Sequence, residues 1–135
     1  WPLSGEIDIM EHVGYEKDSI YGALHTKAYN HNINTQKVNS IYNATPYSQY
    51  HLYSLEWTPD AIDFFVDGKV FNHFKNEHLS VNEWPFDQNF FILLNLAIGG
   101  NWGGKYGVDE NIFPAVMEVD YVRVYKSIDK LQAEK

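Results

Sequence analysis

The sequence predicts an all-β fold, an antiparallel β-sandwich, from three observations. Apolar residues recur with a period of two, one dipeptide carries a strong hairpin signal, and no segment inside the domain holds a long helical period. The first strand is expected around Glu6-Ile7-Asp8-Ile9, where acids and isoleucines alternate. In His51-Leu52-Tyr53-Ser54-Leu55-Glu56-Trp57, Tyr53, Leu55 and Trp57 point one way and Ser54 and Glu56 the other. Thr58-Pro59-Asp60 then punctuates the chain. Segments 61–66 and 69–74 flank Asp67-Gly68, a dipeptide suited to a two-residue turn. Phe90-Phe91-Ile92-Leu93-Leu94-Asn95-Leu96-Ala97-Ile98 is nearly continuous hydrophobe and predicts a strand covered on both faces. Glycines make a loop of 99–104. A last strand is expected over 117–125, with Met117, Val119, Tyr121 and Tyr125 on one side. Residues 1–126 form one expected domain, and 127–135 a polar tail or linker.

Composition narrows the function. A net charge of −8 argues against nucleic acid and anionic membrane as partners, because both reward clustered Lys and Arg. No apolar run approaches the roughly 18 residues of a membrane-spanning helix. The chain has no cysteine, which removes disulfides and thiolate chemistry together. Aromatics make up 16% of the residues, enough either for wide sheet cores or for platforms on which sugar rings stack.

The informative segment is Glu6-Ile7-Asp8-Ile9-Met10-Glu11. Glu6 and Asp8 share one strand face, and Ile7 and Ile9 fill the other. By strict alternation Glu11 falls with the isoleucines, where an unpaired carboxylate is costly. A β-bulge near Ile9-Met10 resolves the conflict: one extra residue shifts the phase and returns Glu11 to the polar face. Glu6 and Glu11 then lie roughly 13 Å apart at Cα. Side chains leaning together reach the roughly 5–5.5 Å carboxyl separation of a retaining glycosidase. In such a pair one glutamate attacks the anomeric carbon and the other, its pKa raised by a neighbouring carboxylate, protonates the leaving oxygen. Asp8 stands between them to tune the pair. The competing readings are a solvated edge strand that merely carries acids, and a cation site built from the same three residues.

At these residues the chain resembles glycoside hydrolase family 16, in its laminarinase-like, endo-β-1,3-glucanase branch. The likeness extends through Tyr21-Gly22-Ala23-Leu24-His25, Tyr53-Ser54-Leu55-Glu56-Trp57-Thr58-Pro59 and Phe65-Val66-Asp67-Gly68. It continues in Leu94-Asn95-Leu96-Ala97-Ile98-Gly99-Gly100-Asn101-Trp102 and closes with Met117-Glu118-Val119-Asp120-Tyr121-Val122-Arg123-Val124-Tyr125. The resemblance implies a concanavalin-like jelly roll with a concave sugar-binding cleft. It makes Glu6 the nucleophile, Glu11 the acid/base and Asp8 the assisting carboxylate. Met10 matches the extra residue of the family's bulged branch, which also holds agarases and carrageenases. The unbulged branch favours mixed-linkage glucan. Relatives that bind glucan without cutting it are the rival from another class.

The same resemblance makes Trp1 a sugar-stacking tryptophan, and His25 and Asn95 cleft residues. Trp102, on its glycine loop, is a candidate platform at the cleft end. Trp84 and Gln88 are candidates for either cleft or core. The six histidines show no tight metal-ligand spacing. No cofactor is required for the chemistry; Asp120 resembles a residue near a structural calcium site whose other ligands would come from elsewhere. Family members carry further strands ahead of the catalytic one, so the N-terminal half of the sandwich is expected outside this chain. A polymeric β-glucan substrate implies an extracellular location.

Overall fold

In the computed structural model, which describes residues 1–127, six strands form two three-stranded antiparallel sheets. The first sheet holds β1 (Glu6–Glu11), β2 (Ser19–His25) and β3 (Lys37–Tyr42), in that order. The second holds β4 (Tyr53–Trp57), β5 (Ala61–Val66) and β6 (Lys69–Lys75), also in chain order. Two short 3-10 turns, His31–Ile33 and Glu110–Ile112, complete the regular structure of the described residues. Of the polar tail expected at 127–135, only Ser127 falls among them.

Period-two patterning becomes packing where the sheets meet. Leu24 from the first sheet joins Ile62 and Phe64 from the second and Phe86 from the following loop in one buried cluster. Ile7, Leu55, Phe71 and Phe74 pack against it. Gly22 marks the closest approach: a Cβ there would stand 2.8 Å from the Phe64 ring and 2.9 Å from the Phe71 ring. The absent side chain is thus what lets the sheets close. Buried Asn72 stitches the layers by donating its amide to the Gly22 carbonyl at 2.8 Å, and Asn39 donates to Phe71 O at 2.9 Å. The β5–β6 connection is the expected two-residue turn, with both Asp67 (φ 51°) and Gly68 (φ 77°) in the left-handed region.

Two expectations fail. Segment 90–98 pairs with no backbone among the described residues, and Phe91 and Leu93 are 81% and 77% exposed instead of covered on both faces. Segment 117–125 is also without a ladder, and Val124 and Tyr125 lie exposed. The reason is physical: an apolar run becomes a strand only where a neighbouring edge takes up its N–H and C=O groups. No described strand edge pairs with either segment. The loop at 99–104 is as expected, with Gly99 and Gly100 at positive φ and a Gly104 N–H to Gly100 carbonyl bond of 3.0 Å.

Candidate active site

The phase conflict in β1 is resolved by a bulge where the sequence demanded one. Glu6 pairs with His25, Ile7 with Leu24, Asp8 with Ala23, and Glu11 with Tyr21. Between Asp8 and Glu11 three steps along β1 therefore answer two along β2. Since Tyr21, Ala23 and His25 alternate on one face of β2, their partners Glu11, Asp8 and Glu6 share that face. The opposite face sends Ile7 and Leu24 into the core, so the strand cannot rotate to hide its acids. Upstream, Gly5 holds φ 75° and lies so close to Pro85 that a Cβ would come within 2.6 Å of its ring. That contact fixes the entry into β1.

The face is partly buried, and burial sets its protonation. Asp8 is pushed up to about 8, first by burial, then by the charges of Glu11 and Glu6 and a hydrogen bond with Glu6. Glu11 is raised by burial and by the charge of Glu6. His25 is held below the ordinary histidine value, mainly by burial, with Glu6 opposing and His31 adding to the effect. Its Nε2 lies 3.4 Å from Asp8 Oδ2, within ion-pair range. No hydrogen bond joins the two atoms, and the Asp8 oxygen and His25 Nδ1 are both buried without a partner. At neutral pH both groups are therefore uncharged, and the contact is a close approach of two neutral groups.

Aromatic rings stand at both ends of the acid face. Trp1 donates its indole N–H to Glu6 Oε2. The Trp1 ring lies 4.8 Å from the His31 ring and 5.6 Å from that of His25. At the other end Trp102 meets Tyr21, the β2 partner of Glu11, edge to face at 5.4 Å. The Tyr21 hydroxyl donates to Glu16. The glycine loop is pinned beside it by Tyr106, which packs edge to face on Tyr15 at 4.9 Å, and by Lys105 over both rings.

Trp1, Glu6, Asp8, Glu11, His25 and Trp102 are thus gathered around β1 and β2. Asn95 is not: it lies exposed in segment 90–98, and no described residue hydrogen-bonds its amide. Trp84 packs on Phe86 at the core, and Gln88 turns to Asp87, so neither joins the acids. Asp120 is exposed, with a charge that reaches the Tyr50 phenol. Among the described residues no three His, Cys, Asp or Glu side chains converge to hold a metal ion, so Asp120 alone does not make a calcium site. Sequence reasoning passed over Tyr21 and His31. Tyr21 was within reach, because alternation back from His25 places it on the acid face. His31 had no such signal, since the fold of the β2–β3 loop places it.

Known proteins resemble the chain along most of its length. The chain is 50% identical over 134 residues to a beta-glucanase of Rhodothermus marinus, covering 96% of this chain and 47% of that protein. The structure of the laminarinase from Rhodothermus marinus superimposes with a TM-score of 0.82 at 47% identity, over 84% of this chain and 47% of that one. A non-specific endo-beta-1,3(4)-glucanase, co-crystallized as a mutant with 1,3-beta-D-cellotriosyl-glucose, superimposes with a TM-score of 0.81 at 48% identity, over 84% of this chain and 44% of that one. This chain thus spans about half the length of each. The family model described as glycosyl hydrolases family 16 matches residues 2–123. With its paired antiparallel sheets and its fit to laminarinase structures of jelly-roll fold, the chain belongs to glycosyl hydrolases family 16.

Proposed function

We propose that the chain supplies the catalytic strand of an endo-acting, retaining hydrolase of internal β-1,3-glucosidic bonds in laminarin-type β-glucan. One observation carries the reading: the bulge between Asp8 and Glu11 sets all three acids on one partly buried face. Glu6, oriented by the Trp1 N–H, attacks the anomeric carbon. Glu11, whose pKa burial and the charge of Glu6 both raise, gives its proton to the glycosidic oxygen as the bond to the leaving sugar breaks. The product is a glycosyl ester on Glu6. Glu11, now a carboxylate, takes a proton from water, whose oxygen displaces Glu6 and restores the original anomeric configuration. Asp8, neutral near pH 7, hydrogen-bonds Glu6 and adds no third charge to the site. Carboxylates conduct every proton transfer and the displacement, so these steps call for no cofactor.

Trp1, His25 and Trp102 are the groups nearest the acids that a sugar ring would meet, and Asn95 joins them only if its segment is drawn in. The reading carries two corollaries. The apolar residues of 90–98 and 117–125 are covered by strands contributed from outside residues 1–126, with which they complete the catalytic domain. The polymeric substrate places the enzyme outside the cell, and a structural calcium at Asp120 requires ligands from those same strands.

Release of reducing ends from laminarin, lichenan and agarose by the full-length protein tests the proposal. Laminarin is expected to be cut fastest, into short oligomers, with the β-anomer appearing first by NMR. Release from agarose alone would transfer the site to a galactan. Retained laminarin binding with no release from any polymer would make the protein a glucan-recognition module and overturn the enzyme reading.

A further inference from the structure

The loop between β2 and β3 is built with more internal bonding than a simple connection needs. Asn30, a buried polar residue, donates its amide to Thr26 O at 3.1 Å and Lys27 O at 3.3 Å, and accepts from Asn32 N at 3.1 Å. Thr35 closes the other side, with its hydroxyl donating to Ala28 O at 2.8 Å and accepting from Asn30 N at 3.2 Å. The turn ends on Asn34 at φ 56°, and Ala28 N reaches across to Asn82 O at 2.9 Å. What this scaffold presents is His31, the first residue of the 3-10 turn. Its ring stands 4.8 Å from the Trp1 ring at an interplanar angle of 32°, and meets the His25 ring edge-on at 5.2 Å.

We infer that His31 is a positioning residue: it backs the Trp1 indole, fixing the ring beside Glu6 so that a glucan unit is seated on a preformed platform. The inference rests on the hydrolase reading for its consequence and on the ring geometry for its mechanism. Trp1 is 54% exposed and lies ahead of β1, so its own strand does not hold it. Among the described residues its ring is contacted by the Glu6 carboxylate, which accepts the indole N–H, and by the His25 and His31 imidazoles. Of the two imidazoles, His31 lies closer and at the shallower angle to the indole, 32° against 49°. A free indole has several rotamers, and holding one in advance removes an ordering cost from binding. Sugar seating is thereby coupled to a loop that carries none of the acids.

The test is a double-mutant cycle in the full-length protein, with laminarin kinetics and 19F NMR of 5-fluorotryptophan-labelled samples, in which Trp1→Phe identifies the Trp1 signal. His31→Ala is expected to raise KM about threefold to tenfold with kcat within about twofold, in line with the loss of one aromatic contact. His31→Phe should restore KM, and His31→Ala should have no further effect in a Trp1→Ala background. The Trp1 resonance should shift or broaden in His31→Ala and return in His31→Phe. An unmoved Trp1 resonance overturns the inference whether or not the protein is active. An equal KM penalty in the Trp1→Ala background also overturns it, since His31 would then act independently. A wild type that cuts no glucan defeats the hydrolase reading alone, because the resonance still decides the ring contact.

Discussion

Asp8 Oδ2 and His25 Nε2 stand 3.4 Å apart without a hydrogen bond, a histidine and a carboxyl in contact that do not form an ion pair at neutral pH. Burial favours the neutral form of each, raising Asp8 to about 8 and lowering His25. For stability the Asp8 shift has a definite sign, opposite to that of His25, whose lowered pKa makes stability rise with pH. A folded-state pKa above the unfolded value of 3.8 means Asp8 holds its proton more in the folded state between pH 4 and 8, so its contribution to stability falls as pH rises through that window. Asp8→Asn removes the titration and is expected to flatten the decline in Tm between pH 4 and 8 relative to wild type. Parallel Tm curves for the two proteins would rule the account out.

The acid role of Glu11 separates from the nucleophile role of Glu6 by leaving group. On laminarin, Glu11→Gln should lower kcat by about 10²- to 10⁴-fold, the usual range for general acid catalysis. On an aryl glucoside whose phenol departs unaided, its bond-breaking step should be nearly intact, visible as a burst of phenol. Glu6→Gln should show no burst on either substrate. A burst from the Glu6 variant would reverse the assignment.

Trp102 and Tyr21 form the ring contact beside Glu11, and its removal should weaken binding more than turnover. Trp102→Ala is expected to raise KM for laminarin by about threefold to tenfold, as one aromatic contact predicts. Unchanged KM would show that the ring packs the glycine loop and touches no sugar.

Gly22 tests the closure of the sheets. Gly22→Val would drive new atoms into Phe64 and Phe71 and should cost about 1–3 kcal/mol, an overpacking penalty measured by urea unfolding. A stability equal to wild type would mean that the layers have slack at this point.

Much of the site was legible because it is written in local phase. Isoleucines at 7 and 9 commit one face of β1 to the core, and an acid at 11 then requires an inserted residue; the bulge between Asp8 and Glu11 follows from that conflict. Asp67-Gly68 specifies its hairpin for an equally local reason, since both residues tolerate positive φ. Side-chain contacts between loops were not legible. Nothing at 31 announces a ring for Trp1, because the distance is set by hydrogen bonds from Asn30 and Thr35 that exist only once the loop is folded.

By itself the sequence determined which face of each strand is apolar, where the first strand must break its register, and which acids share the polar side. Tertiary structure decided which apolar runs find a partner. Segments 90–98 and 117–125 have the composition of strands, yet among the described residues they have no ladder, because pairing belongs to two backbones and composition to one. It likewise decided the charge of the acids: one face of Glu6, Asp8 and Glu11 is three carboxyls in sequence. Partial burial is what raises Asp8 to about 8 and lifts Glu11 above its ordinary value.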